Sequence, residues 1–79
     1  MQSGRYREGL SDLGAAAQGG SAYAQSELGR MYMMGIPGAL TPNFDVGLAW
    51  FRKSAAQGYE VGRQNLERAL ALLPAVQRP

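Results

Sequence analysis

The side chains in this sequence that are capable of covalent or acid–base chemistry are few and poorly matched. Histidine and cysteine are both absent, which removes the usual base near neutral pH, the thiol nucleophile, disulfides and the common zinc ligand sets. Ser3, Ser11, Ser21, Ser26 and Ser54 therefore have no histidine to activate them in a triad. The glycines of GIPGAL, Gly35–Leu40, precede a proline and lack a following lysine, unlike a phosphate-cradling loop. Glu8 and Asp12 stand four apart, on one helical face, but no second carboxylate pair accompanies them. They read as surface charge. An enzyme is not expected, nor a cofactor or a metal.

The positive charges are nearly all arginines. They are dispersed along the chain and interleaved with Glu8, Asp12, Asp45, Glu60 and Glu67, for a net charge of +2. A nucleic-acid-binding chain shows a denser basic stripe, so no nucleic-acid partner is expected. No run approaches the roughly 18 apolar residues of a membrane span, and MQSGRYREGLSDLG has no hydrophobic core of a secretory signal. Membrane insertion is not expected. A cysteine-free chain suits a reducing cytosol, and removal of a leader would instead allow the periplasm.

Any function must then rest on shape, which directs attention to the elements. Leu10, Leu13 and Ala17 recur at helical spacing in a segment from Tyr6 to Gln18 that stops at Gly19-Gly20. A second helix spans Ser21–Met34, with Ser21 as N-cap, Ala24, Leu28, Met31 and Tyr32 as its apolar face, and Gly35 past its end. GIPGALTP, Gly35–Pro42, is a loop. A third helix follows Asn43 as cap, with Asp45 in its first turn, a stripe of Leu48, Phe51 and Ala55, Trp50 at its flank, and Gly58 as stop. The last runs from Tyr59 to Leu73, with Val61, Leu66, Ala69, Leu70 and Leu73 as its apolar set, and ends before Pro74. No segment alternates with period two, so the fold class is all-α.

Shifting the sequence by 38 residues superposes its first half on its second without a gap. Tyr6 meets Phe44, Gly9 meets Gly47, Leu10 meets Leu48, Leu13 meets Phe51, Ala17 meets Ala55 and Gly20 meets Gly58. Leu28 meets Leu66 and Arg30 meets Arg68. Large, small and terminating residues agree even where identities do not. The pattern A-x-A-Q-x-x-L-G-x-M-Y-x-x-G at Ala22–Gly35, then a Gly/Pro loop, then F-D-x-x-L-x-W-F-R-K-S-A-x-Q-G at Phe44–Gly58, resembles the Sel1-like repeat, a relative of the tetratricopeptide repeat.

The resemblance implies a short right-handed α-α superhelix of about four antiparallel helices. It divides residues 1–79, as one domain, into a complete unit at about 21–58 and half-units at 5–20 and 59–73. Gly29 would let the two helices of the unit approach closely, and Ser54, Ala55 and Ala56 would do the same from the third helix, with Arg52 and Lys53 outside. Gly47 stands where the family usually has alanine, an expected loss of roughly 0.5–1 kcal/mol of helix stability. Glu67 and Leu70 replace Gly29 and Tyr32 in the last helix, as suits an end helix.

Tetratricopeptide-like superhelices commonly hold an extended peptide or a partner's helix on their inner face, so the resemblance implies a non-catalytic adaptor with a protein or peptide partner. Family members are often regulatory, many bacterial and several in the envelope. Carried over position by position, the inner face comprises Tyr23, Ser26, Glu27, Arg30, Met33 and Met34. The corresponding positions of the last helix are Val61, Gln64, Asn65, Arg68, Ala71 and Leu72. Arg30 and Arg68 share a slot and could together bind a carboxylate, with Met33 and Met34 as an adaptable apolar floor. Each arginine could instead pair with a neighbouring glutamate, Glu27 or Glu67. Stacked repeats generally need about three units to stand alone, so homo-oligomerisation or helix exchange is an alternative role for the same surfaces.

Overall fold

The structure, a computed structural model, describes the backbone of residues 2–73 and the side chains of residues 8–73. Four helices follow one another: α1 (Gln2–Gln18), α2 (Ala22–Met34), α3 (Phe44–Ala56) and α4 (Glu60–Ala71). No strand forms among the described residues. The α2–α3 loop holds one isolated antiparallel bridge between Ile36 and Leu40.

The helix starts follow from capping chemistry. Ser21 Oγ accepts from the Ala24 amide at 3.1 Å, and Asn43 Oδ1 accepts from the Val46 amide at 3.1 Å. Each satisfies an amide that has no partner inside the first turn. Two ends differ from the sequence reading. Helix α1 reaches back to Gln2, since Gln2 and Arg5 favour helix and no proline interrupts. Helix α4 stops at Ala71 rather than Leu73, because the Leu72 amide closes back on Ala69 at 3.0 Å in a tight terminal turn.

The 38-residue shift is repeated in the backbone. Gly20 and Gly58 have φ of 106° and 82°, a left-handed geometry that glycine adopts without strain. Their amides donate to Ala17 and Ala55 at 3.1 and 2.9 Å. The next residues, Ser21 and Tyr59, have φ/ψ of −71°/114° and −76°/118° and serve as N-caps of α2 and α4. The same turn is thus built twice.

Each helix packs on the next, and α2 also lies beside α4, whereas α1 and α3 make no close backbone approach among the described residues. Two layers result, α2 with α4 and α1 with α3, and the thin dimension of 15 Å fits a double layer of helices. Because only α2 and α4 touch within a layer, theirs is the inner side of the stack. Trp50 reaches from α3 to pack on the cluster of Ala17, Ala24 and Leu28, together with Leu10, Leu13 and Tyr32. Leu48, Phe51 and Ala69 form a second cluster with Met33, Phe44, Leu66 and Leu70.

Close approach and polar ties hold the layers together. A Cβ on Gly29 would lie 2.6 Å from the Phe51 ring, so the ring occupies the place of a side chain. Gly47 proves to be more than a weak helix former, because a Cβ there would come within 3.1 Å of Met33. Ser54 is fully buried and donates to the Ala22 carbonyl at 2.7 Å, while Ala55 is half-buried and Ala56 exposed. Buried Gln25 donates to the Ala17 carbonyl at 3.0 Å. Gln57 donates to the Gly20 carbonyl at 2.8 Å and to Gln25 Oε1 at 3.0 Å. These amides fasten the ends of α1 and α3 to the start of α2, a role the sequence reading did not assign them.

Candidate functional site

The face shared by α2 and α4 is built on one polar tie. Asn65 Nδ2 donates to Ser26 Oγ at 2.9 Å, joining the two helices side by side. Ser26 is 1% exposed and is therefore unavailable to a partner, contrary to its placement on the inner face. Asn65 is half-buried and committed to the same tie. Met33 is also half-buried, turned onto the Leu48–Phe51–Ala69 cluster and Gly47, so it serves the core more than a groove floor. In each case the inner edge of the helix is consumed by its neighbour.

Around this tie the remaining positions are open, except Glu27, which is half-buried. Tyr23 and Met34 are 60% and 69% exposed, and Gln64, Arg68 and Ala71 are exposed as well. Val61, expected in the apolar set of α4, is 44% exposed and joins this face, as does Leu72 at 54%. Among the described residues, every large hydrophobic residue that is strongly exposed therefore belongs to α2 or to α4 and its cap. None belongs to α1 or α3. Scattered exposed apolar residues need no explanation, whereas these four share the α2–α4 layer.

The arginines in the shared slot differ in their surroundings. Arg30 pairs with Glu27 at 2.8 Å, one turn earlier on α2. Glu67 pairs with Arg63 rather than with Arg68, leaving Arg68 in the last turn of α4, where a cation suits the negative helix end. Arg63 also pairs with Glu60. The Arg63 hydrogen bond holds the Glu60 carboxyl below its ordinary range, and Glu60 raises Arg63 in turn. Arg52 and Lys53 lie on the outer side, with the Lys53 ammonium 5.5 Å from the Trp50 ring.

The residues first considered for chemistry are placed elsewhere. Ser54 and Ser26 are buried in helix contacts, Ser21 caps α2, and Ser11, Glu8 and Asp12 are exposed on α1. Ser3 lies outside the described side chains. No cluster of acidic residues able to hold a metal occurs among the described residues, and no described helix is long and apolar enough to cross a membrane.

Antiparallel helices stacked in two layers, with the same turn recurring at a fixed interval, define a helical repeat of the α-α solenoid class. The Sel1 repeat family model matches residues 22–59, from the first residue of α2 to the N-cap of α4, and over that stretch the chain is a Sel1 repeat. Such repeats are generally non-catalytic modules that mediate protein–protein interactions. No curated protein and no solved structure matches the chain.

Proposed function

We propose that residues 1–79 act as one non-catalytic adaptor module, a complete repeat at 21–58 flanked by half-units at 5–20 and 59–73, which holds a protein partner against the α2–α4 face. The observation that carries this reading is the one-sided exposure of Tyr23, Met34, Val61 and Leu72 on the two inner helices. Apolar contact with these side chains supplies affinity. Arg30 and Arg68, 38 positions apart in equivalent slots, orient an acidic segment lying across the helices, with Gln64 and Glu27 as polar neighbours.

Isothermal titration of a synthetic peptide alternating glutamate and leucine tests the reading. Replacing both arginines with alanine is expected to weaken binding at least about tenfold, with an unchanged melting temperature. Equal affinity for wild type and the double variant would remove acidic-segment recognition from this face.

A further inference from the structure

The two ends of the stack are finished differently. At the α4 end, the positions matching Gln25, Ser26 and Gly29 of α2 one repeat later are Arg63, Gln64 and Glu67, all exposed. Arg63 joins both Glu60 and Glu67, and Gln64 Nε2 donates to Glu60 at 3.2 Å. A polar outer face of this kind closes a solenoid.

Among the described residues the α1 end has no such closure. A groove of about 260 Å³ opens there between Gly9, Leu10 and Leu13 of α1 and Tyr23, Glu27 and Met31 of α2. The residues 38 positions further on are Gly47, Leu48, Phe51, Val61, Asn65 and Ala69. In the structure Gly47, Leu48, Phe51 and Ala69 are buried, with Met33 of α2 against them, and Asn65 is bonded to Ser26 of α2. The groove is thus the α2–α3–α4 interface displaced by one repeat and lacking its α2. Gly9 shows the difference directly. A Cβ on Gly47 would strike the α2 backbone, whereas a Cβ on Gly9 would meet nothing within 4 Å.

We propose that this groove docks an amphipathic helix of another protein, lying on α1 as α2 lies on α3. Continuity with the existing interface fixes its register: a small residue over Gly9, and a polar residue against Glu27 where Ser26 meets Asn65. Asn65 donates in its own contact, whereas the Glu27 carboxylate, one oxygen of which accepts from Arg30 at 2.8 Å, has only acceptor capacity left to offer. The occupant therefore carries a hydroxyl or an ammonium group there. A second copy of this chain fits poorly. Among the described helices only its α4 corresponds to α2 and has a free side, and it carries Glu67 where α2 has Gly29. Docked in register, α4 would press that carboxylate towards Gly9 and Leu13, close to Glu27.

The chain itself supplies the probe: a blocked peptide of sequence Ser21–Gly35, titrated into isotopically labelled protein. The amide signals of Gly9, Leu10, Leu13 and Met31 are expected to move together and saturate. Gly9→Leu fills the open space, so it weakens binding at least about tenfold without lowering the melting temperature. In addition, an S26K peptide binds wild type better than an S26D peptide by about threefold or more, and Glu27→Lys reverses that order. This charge exchange decides the matter even if Gly9→Leu impairs folding. Signal changes confined to other faces would overturn the proposal, as would an order that Glu27→Lys fails to reverse. So would the same changes on concentrating the chain without peptide, which would assign the groove to a second copy.

Discussion

Gly29 of α2 and Gly47 of α3 face each other so closely that a Cβ on either would lie within 3 Å of the other's carbonyl oxygen, at 2.9 and 2.8 Å. The two backbones approach each other directly there, flanked by the Phe51 ring and Met33. Alanine at either position improves helix propensity by about 0.5–1 kcal/mol, but it must push the helices apart, at a cost of about 1–3 kcal/mol. Gly29→Ala and Gly47→Ala are both predicted to lower the thermal midpoint. Gly29→Leu, which drives a branched chain into the Phe51 ring, is predicted to leave the chain unfolded by circular dichroism at ambient temperature. A Gly47→Ala variant more stable than wild type would contradict this account of the contact.

Phe51 is 4% exposed and is the largest of the buried residues in the second core cluster. Its replacement by alanine removes the ring that sits over Gly29, a loss of about 3–5 kcal/mol. That equals the stability expected of a chain this short, so Phe51→Ala is predicted to abolish a cooperative melt.

How much of this was legible in the sequence depends on what each residue answers to. Ser21, Asn43, Gly20 and Gly58 act on their own neighbours in the chain, and helix boundaries near them could be read directly. Gly47 could not be valued correctly alone, because its worth lies in Gly29 and Met33 on another helix. Gln25 and Gln57 look like surface glutamines by type, and become ties only because the ends of α1 and α3 converge on α2. The inner face shows the same limit. The family resemblance implied an inner face with Tyr23, Ser26, Arg30, Met33 and Met34, but contacts with α4 and α3 enclose Ser26 and turn Met33 onto the core. The reverse holds for Val61, whose apolar character put it in the core set of α4 while the family resemblance put it on the inner face, and which is 44% exposed.

The ties made by those glutamines can be cut individually. Gln25 is 6% exposed and serves both the Ala17 carbonyl and the Gln57 amide. Gln25→Leu keeps volume but leaves the Ala17 carbonyl with the Gly20 amide alone and removes an acceptor from Gln57, a cost of about 0.5–1.5 kcal/mol for each hydrogen bond lost. Urea denaturation is predicted to show a lower midpoint with an unchanged slope.

The ion pairs of α4 make a pH prediction. The Arg63 hydrogen bond, opposed by desolvation and aided by the Arg63 charge and a hydrogen bond from Gln64, lowers the Glu60 pKa. A carboxylate depressed in the folded state stabilises it above the unfolded pKa, and that contribution is lost as pH falls through the folded one. Since all three side chains are at least half exposed, the effect on stability is small and screened by salt. Carboxyl NMR titration is predicted to place the Glu60 midpoint below the model-peptide value of about 4.3. Arg63→Gln should raise the midpoint, and a midpoint unmoved by that substitution would refute the coupling.

The central functional claim is that partners lie along α2 and α4, and site-directed photocrosslinking tests it most directly. A benzophenone side chain at Met34, on the inner layer, is compared with one at Arg52, on the outer side of α3, in cells producing the chain. The account predicts discrete crosslinked partners from position 34 and few or none from position 52. Equal yields from both positions, or partners captured only at 52, would contradict it.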